Sequence, residues 1–247
     1  MPGNENFYRS RRLIMAYMQV ENTRSQVRVN SFISSVYNWM AIGLAITGGV
    51  AYVVSTNEYL VRLIAGNFMV LMLLFAAEIG LVFYLSARIQ KIEASTATFM
   101  FALYAALNGA SLSLLFLVYT HASIASTFFI CAATFTACSI YGMVTKKDLT
   151  SMGGFMAMGL VGIIIASLVN MFLKSPMIYM IISYVGVLVF VGLTAYDTQK
   201  LKHMALSQPA DLEAGVIRKG AVLGALTLYL DFINMFVFLL QILGDRK

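Results

Sequence analysis

From residue 94 to residue 145 the chain runs for 52 residues without an Asp, Glu, Lys or Arg. No water-soluble fold can hide a stretch of that length and still wet its own surface. The rest of the chain agrees: 60% of its 247 residues are apolar and 11% charged, where soluble domains carry roughly a quarter charged residues. The chain therefore belongs in a lipid bilayer. This excludes a cytosolic enzyme, a secreted disulfide scaffold and a nucleic-acid-binding module. Cys131 and Cys138 stand seven apart in an apolar run, which puts them on one helix face and out of bridging range.

Other uncharged stretches cover 29–57, 149–173 and 175–196, while 63–87 holds only Glu78 and 220–244 only Asp231. About 20 apolar residues cross a hydrocarbon core of about 30 Å as a helix. The expected spans are 34–54, 66–86, 97–119, 123–143, 151–173, 177–197 and 220–243. Runs this long and continuous are not barrel strands, so the fold class is an all-α membrane protein of seven transmembrane helices. The division is a tail over 1–33 and a transmembrane domain over 34–247, with one long polar loop over 200–219. Orientation follows the basic loop residues. One side carries Arg9, Arg11, Arg12, Arg24, Arg28, Arg88, Lys91, Lys146, Lys147, Lys200, Lys202, Arg218 and Lys219. The other carries Arg62, Lys174, Arg246 and Lys247. Thirteen against four puts the N-terminus in the cytoplasm and the C-terminus outside.

In lipid, helices associate through close packing and interhelical hydrogen bonds. Ala105, Gly109 and Ser113 form a small-residue stripe on span three, beside a polar stripe of Tyr104, Asn108 and Ser111. Span four presents Thr127, Cys131, Thr134, Cys138 and Tyr141 at helical spacing. Both read as bundle glue. Intramembrane acids are functional candidates, because each costs about 2.5–3.5 kcal/mol at mid-helix. Asp197 ends span six, Asp231 lies within span seven, and Glu78 lies in span two, where it can also be a helix-end partner of Arg88. Thr227, Asp231, Asn234 and Gln241 form a stripe interrupted only by Phe238, so span seven is expected inside the bundle. In isolation, Asp197 also reads as a boundary residue and Asp231 as a hydrogen-bond hub.

Four motifs carry a resemblance: YDTQKLK over 196–202, LTLYLDFIN over 226–234, NGASLS over 108–113 and YGMVTKKDLT over 141–150. Together they resemble the Bax-inhibitor-motif family of seven-helix membrane proteins, over most of the chain from span one onward. The resemblance implies six helices surrounding a central seventh, a pH-sensitive calcium leak, and an aspartate dyad that maps onto Asp197 and Asp231. It implies a latch at Arg88, a further acid at Glu78, and transient calcium contacts at the two aspartates. Two carboxyls meeting in low dielectric cannot both ionise cheaply, so they share a proton and titrate as a pair. Losing that proton brings repulsion, and an oxygen-seeking Ca²⁺ can then be held by both. One conflict stands in the spans drawn above: at about 1.5 Å per residue, Asp231 lies roughly 17 Å inside span seven, while Asp197 sits at the boundary.

Other readings fare worse. An intramembrane aspartyl protease needs Gly-x-Gly-Asp, but Leu228, Tyr229 and Leu230 precede Asp231. A serine hydrolase lacks an intramembrane histidine, since His121 and His203 lie at loops. A retinal sensor lacks a mid-span lysine. The chain is thus expected to be no enzyme, to need no cofactor, and to have calcium and the lipid bilayer as partners. The competing reading, also implied by the resemblance, is an interaction protein that restrains a membrane-bound ATP-dependent protease. The expected location is the bacterial inner membrane.

Overall fold

The computed structural model describes residues 3–209 and 212–247, with side chains from residue 26 onward. Met1 and Pro2, at the start of the expected tail, lie outside the described residues. The chain order is α1 (Gly3–Thr56), α2 (Glu58–Ala65), α3 (Phe68–Arg88), α4 (Ala94–Leu112), α5 (Leu115–Val118), α6 (His121–Val144), α7 (Thr150–Leu173), α8 (Pro176–Ser207) and α9 (Ala214–Leu243). Seven spans among the described residues are long and apolar enough to cross a membrane. They are residues 26–56 of α1, α3, the α4–α5 pair, α6, α7, α8 and α9. The protein is an integral membrane helix bundle.

Polar residues between the spans set where helices begin. Asn57, Asn67, Thr120 and Ser175 accept backbone N–H bonds as N-caps of α2, α3, α6 and α8, satisfying donors that the first turn leaves free. Pro176 follows its cap at the first helical position, where its missing N–H is harmless. α7 ends with Lys174 in the left-handed region (φ 51°), a cap geometry normally given to Gly or Asn.

The expected borders shift in three places. Span three is not one unbroken helix: it turns at Ser113 and Leu114 before α5, and the Ser113 hydroxyl bonds the Ala110 carbonyl. The expected polar loop over 200–219 is mostly helix, because α8 continues to Ser207 and α9 starts at Ala214. α1 continues without a break across residue 33, and Val29, Phe32 and Ile33 are buried in the core.

α9 packs on α1, α4, α6 and α8, while α3 packs on α4 and α7 on α8. Its core side chains include Leu226, Leu228, Tyr229, Met235 and Leu240, all at 2% exposure or less. The outer faces of α3 and α7 carry Phe83, Phe155 and Phe172, exposed as a lipid-facing belt requires. The small-residue stripe of α4 does what its spacing suggests. Ala105, Gly109 and Ser113 are buried, and a Cβ on Gly109 would strike the Thr47 backbone of α1. On α6 the buried face is Ser123, Thr127, Cys131, Phe135, Ser139 and Gly142. The expected stripe thus drifts off: Tyr141 is half exposed, because this face advances by fours. Gly142 lets α6 touch the Ala195 carbonyl of α8.

These contacts are tight enough to test. Gly109→Val should cost about 1–3 kcal/mol by overpacking, read as an earlier unfolding midpoint in detergent titrations. Gly80→Ala, where nothing stands within 4 Å, should stay within about 0.5 kcal/mol of the parent.

Candidate functional site

The extension of α8 narrows the conflict between the two aspartates. Asp197 lies ten residues before Ser207, the end of α8, or roughly 15 Å inside the helix instead of at its edge. It is buried (9% exposed), as is Asp231 of α9 (4%). Their carboxyls lie within side-chain reach of one another across α8 and α9. Asp231 Oδ2 is fully buried and receives no N–H or O–H of the protein. Two carboxyl oxygens repel unless a proton lies between them, so this contact can be a hydrogen bond only while at least one of the pair is protonated. A buried polar atom with no other partner has no alternative way to recover its lost hydration.

Asp197 is held in place by the surroundings of its own helix. Thr198 donates to Ser139 Oγ of α6 at 3.3 Å. Gln199 donates to the Lys147 carbonyl at 2.8 Å and accepts the Leu149 N–H at 2.9 Å. Lys202 Nζ donates to the Met143 carbonyl at 2.6 Å. The segment just beyond Asp197 is therefore fastened to the end of α6 and the loop over 145–149. The cation whose field reaches Asp197 is Lys200, one helical turn on, with its Nζ 5.9 Å from the Tyr196 ring centre. Sequence reasoning passed over Lys200, although three-residue spacing was the signal for it. Arg88, the expected latch, is exposed at the end of α3. It forms no ion pair among the described residues, where Arg62–Glu58 is the one salt bridge.

Glu78 lies on the other side of α9 and is no helix-end partner of Arg88. At mid-α3, it is buried against the polar stripe of α4: it accepts the Ser111 hydroxyl and, at 3.3 Å, the Asn108 amide. Asn108 Oδ1 accepts the Tyr229 hydroxyl at 3.0 Å. Thr47 Oγ1 lies 2.6 Å from the same hydroxyl and 2.9 Å from each of the Gly43 and Ala105 carbonyls. Four spans are thereby joined by one chain of hydrogen bonds. Tyr229 is fully buried and meets Phe101 and Tyr104 edge to face, at 5.9 and 5.7 Å between ring centres. Its hydroxyl was the missed member of this network, although it stands two residues before Asp231 in a quoted motif.

The α9 polar stripe divides. Thr227 and Asn234 bond back to the Leu223 and Leu230 carbonyls of their own helix, and Asn234 borders the hollow beside Glu78. Gln241 reaches Ser183 of α8 at 2.7 Å, and Phe238 fills the space above Gly186. Only Asp231 of the stripe meets another carboxyl. No cluster of three metal-ligating side chains occurs among the described residues.

The family model described as "Inhibitor of apoptosis-promoting Bax1" matches residues 29–247. The chain belongs to the Bax inhibitor family. Relatives include the inner membrane protein YbhL of Escherichia coli, 48% identical over 89% of this chain and 93% of that protein. Uncharacterized proteins of Borreliella burgdorferi (45% identical over 88% and 93%) and Deinococcus radiodurans (43% over 93% and 96%) are also similar. The matched region starts at Val29, where the side chains of α1 enter the core.

Two outcomes follow for this family member. Tyr229→Phe should lower stability by about 1–3 kcal/mol, because Asn108 and Thr47 lose a buried partner; Tyr52→Phe, on an exposed face, should change nothing measurable. The exposed Asp148 carboxyl sits below its ordinary 3.8, held by the Thr150 hydroxyl and then the Thr150 N–H. Its folded value is depressed, so its contribution is present above about pH 4 and lost as pH falls further. Asp148→Asn should therefore leave any transition between pH 5 and 9 where it was, as followed by tyrosine fluorescence.

Proposed function

We propose that this Bax inhibitor family protein is a pH-sensitive calcium leak of the bacterial inner membrane, gated by the proton shared between Asp197 and Asp231. The observation that carries the reading is the meeting of the two carboxyls, with Asp231 Oδ2 buried and without a protein donor. With the proton in place, α8 and α9 are joined where they cross. When pH rises and the proton leaves, two like charges face each other in low dielectric, and the contact becomes repulsive. Asp197 can then turn toward Lys200 on its own helix or toward Arg88, and Asp231 is left as a bare oxygen ligand. A carboxylate of this kind suits Ca²⁺, which takes oxygen donors in flexible geometry. Glu78, on the far side of α9, is the secondary acid of the path.

The inner-membrane location rests on the seven apolar spans and on the name of the Escherichia coli relative. Thirteen basic loop residues against four favour a cytoplasmic N-terminus and an external C-terminus.

The test is Ca²⁺ flux from liposomes holding the purified protein, measured from pH 6 to pH 8.5. Flux should rise with pH in the parent, and Asp231→Asn should remove that dependence. The substituted amide can donate to Asp197 at every pH, so flux should stay near the low-pH level. An equally pH-dependent flux in Asp231→Asn would dismiss the dyad as the gate.

A further inference from the structure

At the end of the bundle away from the Asp197 side of α8, a cup of about 710 Å³ opens between α5, the C-terminus of α7, the start of α8 and the end of α9. Its polar lining includes Asn170, Lys174, Ser175, Tyr179, Gln241 and Arg246, and no Asp or Glu borders it. A smaller hollow of about 360 Å³ shares Asn170, Lys174, Tyr179 and Gln241 and runs on toward Phe238. The acceptors of this lining are largely used up within the protein. Asn170 Oδ1 takes the Ser175 N–H at 3.0 Å, which turns the Asn170 NH₂ outward. Gln241 Oε1 takes the Ser183 hydroxyl at 2.7 Å, which frees its NH₂ likewise. Asp245, the nearest acid in sequence, is turned onto Ser123, whose hydroxyl donates to it at 3.2 Å.

Two cations complete the lining. Arg246 lies 5.7 Å from the Tyr179 ring centre and 6.0 Å from that of Tyr119. Its guanidinium is thus positioned before any ligand arrives. Lys174 occupies the left-handed cap of α7, where Gly or Asn would be less strained. A residue held against its backbone preference suggests that its side chain matters there. The apolar wall of the cup is Leu115, Val118 and Met180.

We infer that this cup binds an amphiphilic oxyanion, with a phosphate or carboxylate head on Lys174, Arg246 and Asn170 and an apolar body along Leu115, Val118 and Met180. A lining made of donors and cations, with its own acceptors occupied, is complementary to such a head. The mouth lies where the α7–α8 turn leaves the bilayer, which is the depth of a lipid headgroup. An anionic phospholipid and a free phosphate share the chemistry.

The experiment uses the full chain in uncharged detergent and follows its thermal unfolding midpoint. It is titrated with dioctanoyl phosphatidylglycerol, with the phosphatidylcholine of the same chains, and with inorganic phosphate. Phosphatidylglycerol should raise the midpoint saturably and phosphatidylcholine should not. Phosphate acting in the same way, with the same variant pattern, would support the site and identify a soluble anion as its source. Lys174→Gln combined with Arg246→Gln should weaken binding at least about tenfold, the scale of losing charge-assisted contacts. Asn170→Asp keeps the acceptor for Ser175 but puts a negative oxygen into the cup, and should weaken binding as much. Arg62→Gln, an exposed charge outside the cup, should bind as the parent does. Equal shifts from both phospholipids would overturn the site, as would parent-like binding by Asn170→Asp or an equal loss in Arg62→Gln.

Discussion

A carboxyl oxygen buried with no N–H or O–H to receive is the constraint on which the rest of this structure turns. Asp231 Oδ2 is in that position, and the group opposite is another carboxyl. An ion there would be expensive in a low-dielectric interior, while a proton between the two acids satisfies both at once. In the proposed function the closure of α8 against α9 is tied to that proton, and the tie is local. Beyond Asp197, α8 is fastened to the α6–α7 loop through Gln199 and Lys202, so a change at the dyad acts on a segment already anchored at its other end.

The two acidic positions have opposite characters. Glu78 has its acceptors filled by Ser111 and Asn108, in a chain that continues through Tyr229 to Thr47. Each of its two oxygens has a donor. Asp231 has none and depends on its neighbour. Tyr229 and Asp231 are two residues apart on α9, so a single helix turns one face to a satisfied network and another to an unsatisfied pair. Close approaches at Gly109 and Gly142 bring α1 to α4 and α6 to α8.

Much of the fold was legible because the bilayer punishes charge. The uncharged stretches mark all seven spans, and the stripe of Ala105, Gly109 and Ser113 marks a real backbone approach. What the sequence concealed has identifiable causes. Charged residues such as Lys200 and Lys202 suggested a loop where α8 continues, because their ends snorkel or find carbonyls while the helix stays intact. The depth of Asp197 depended on that extension. On α6, a stripe drawn with mixed three- and four-residue steps drifted from the face that packs. Arg88 sits at the expected end of its span, but the charge near Asp197 is Lys200, which only the local helical register reveals. The pairing of Asp197 with Asp231 came from a family resemblance, since neither residue's pattern specifies its partner.

The shared proton itself is open to direct measurement by infrared spectroscopy of the full protein in lipid, following the carbonyl stretch of a protonated carboxyl from pH 5 to pH 9. The account predicts a band that disappears as pH rises and that is absent at all pH values in both Asp197→Asn and Asp231→Asn. A band that titrates unchanged in both variants would contradict it, because the proton would then reside on some other acid.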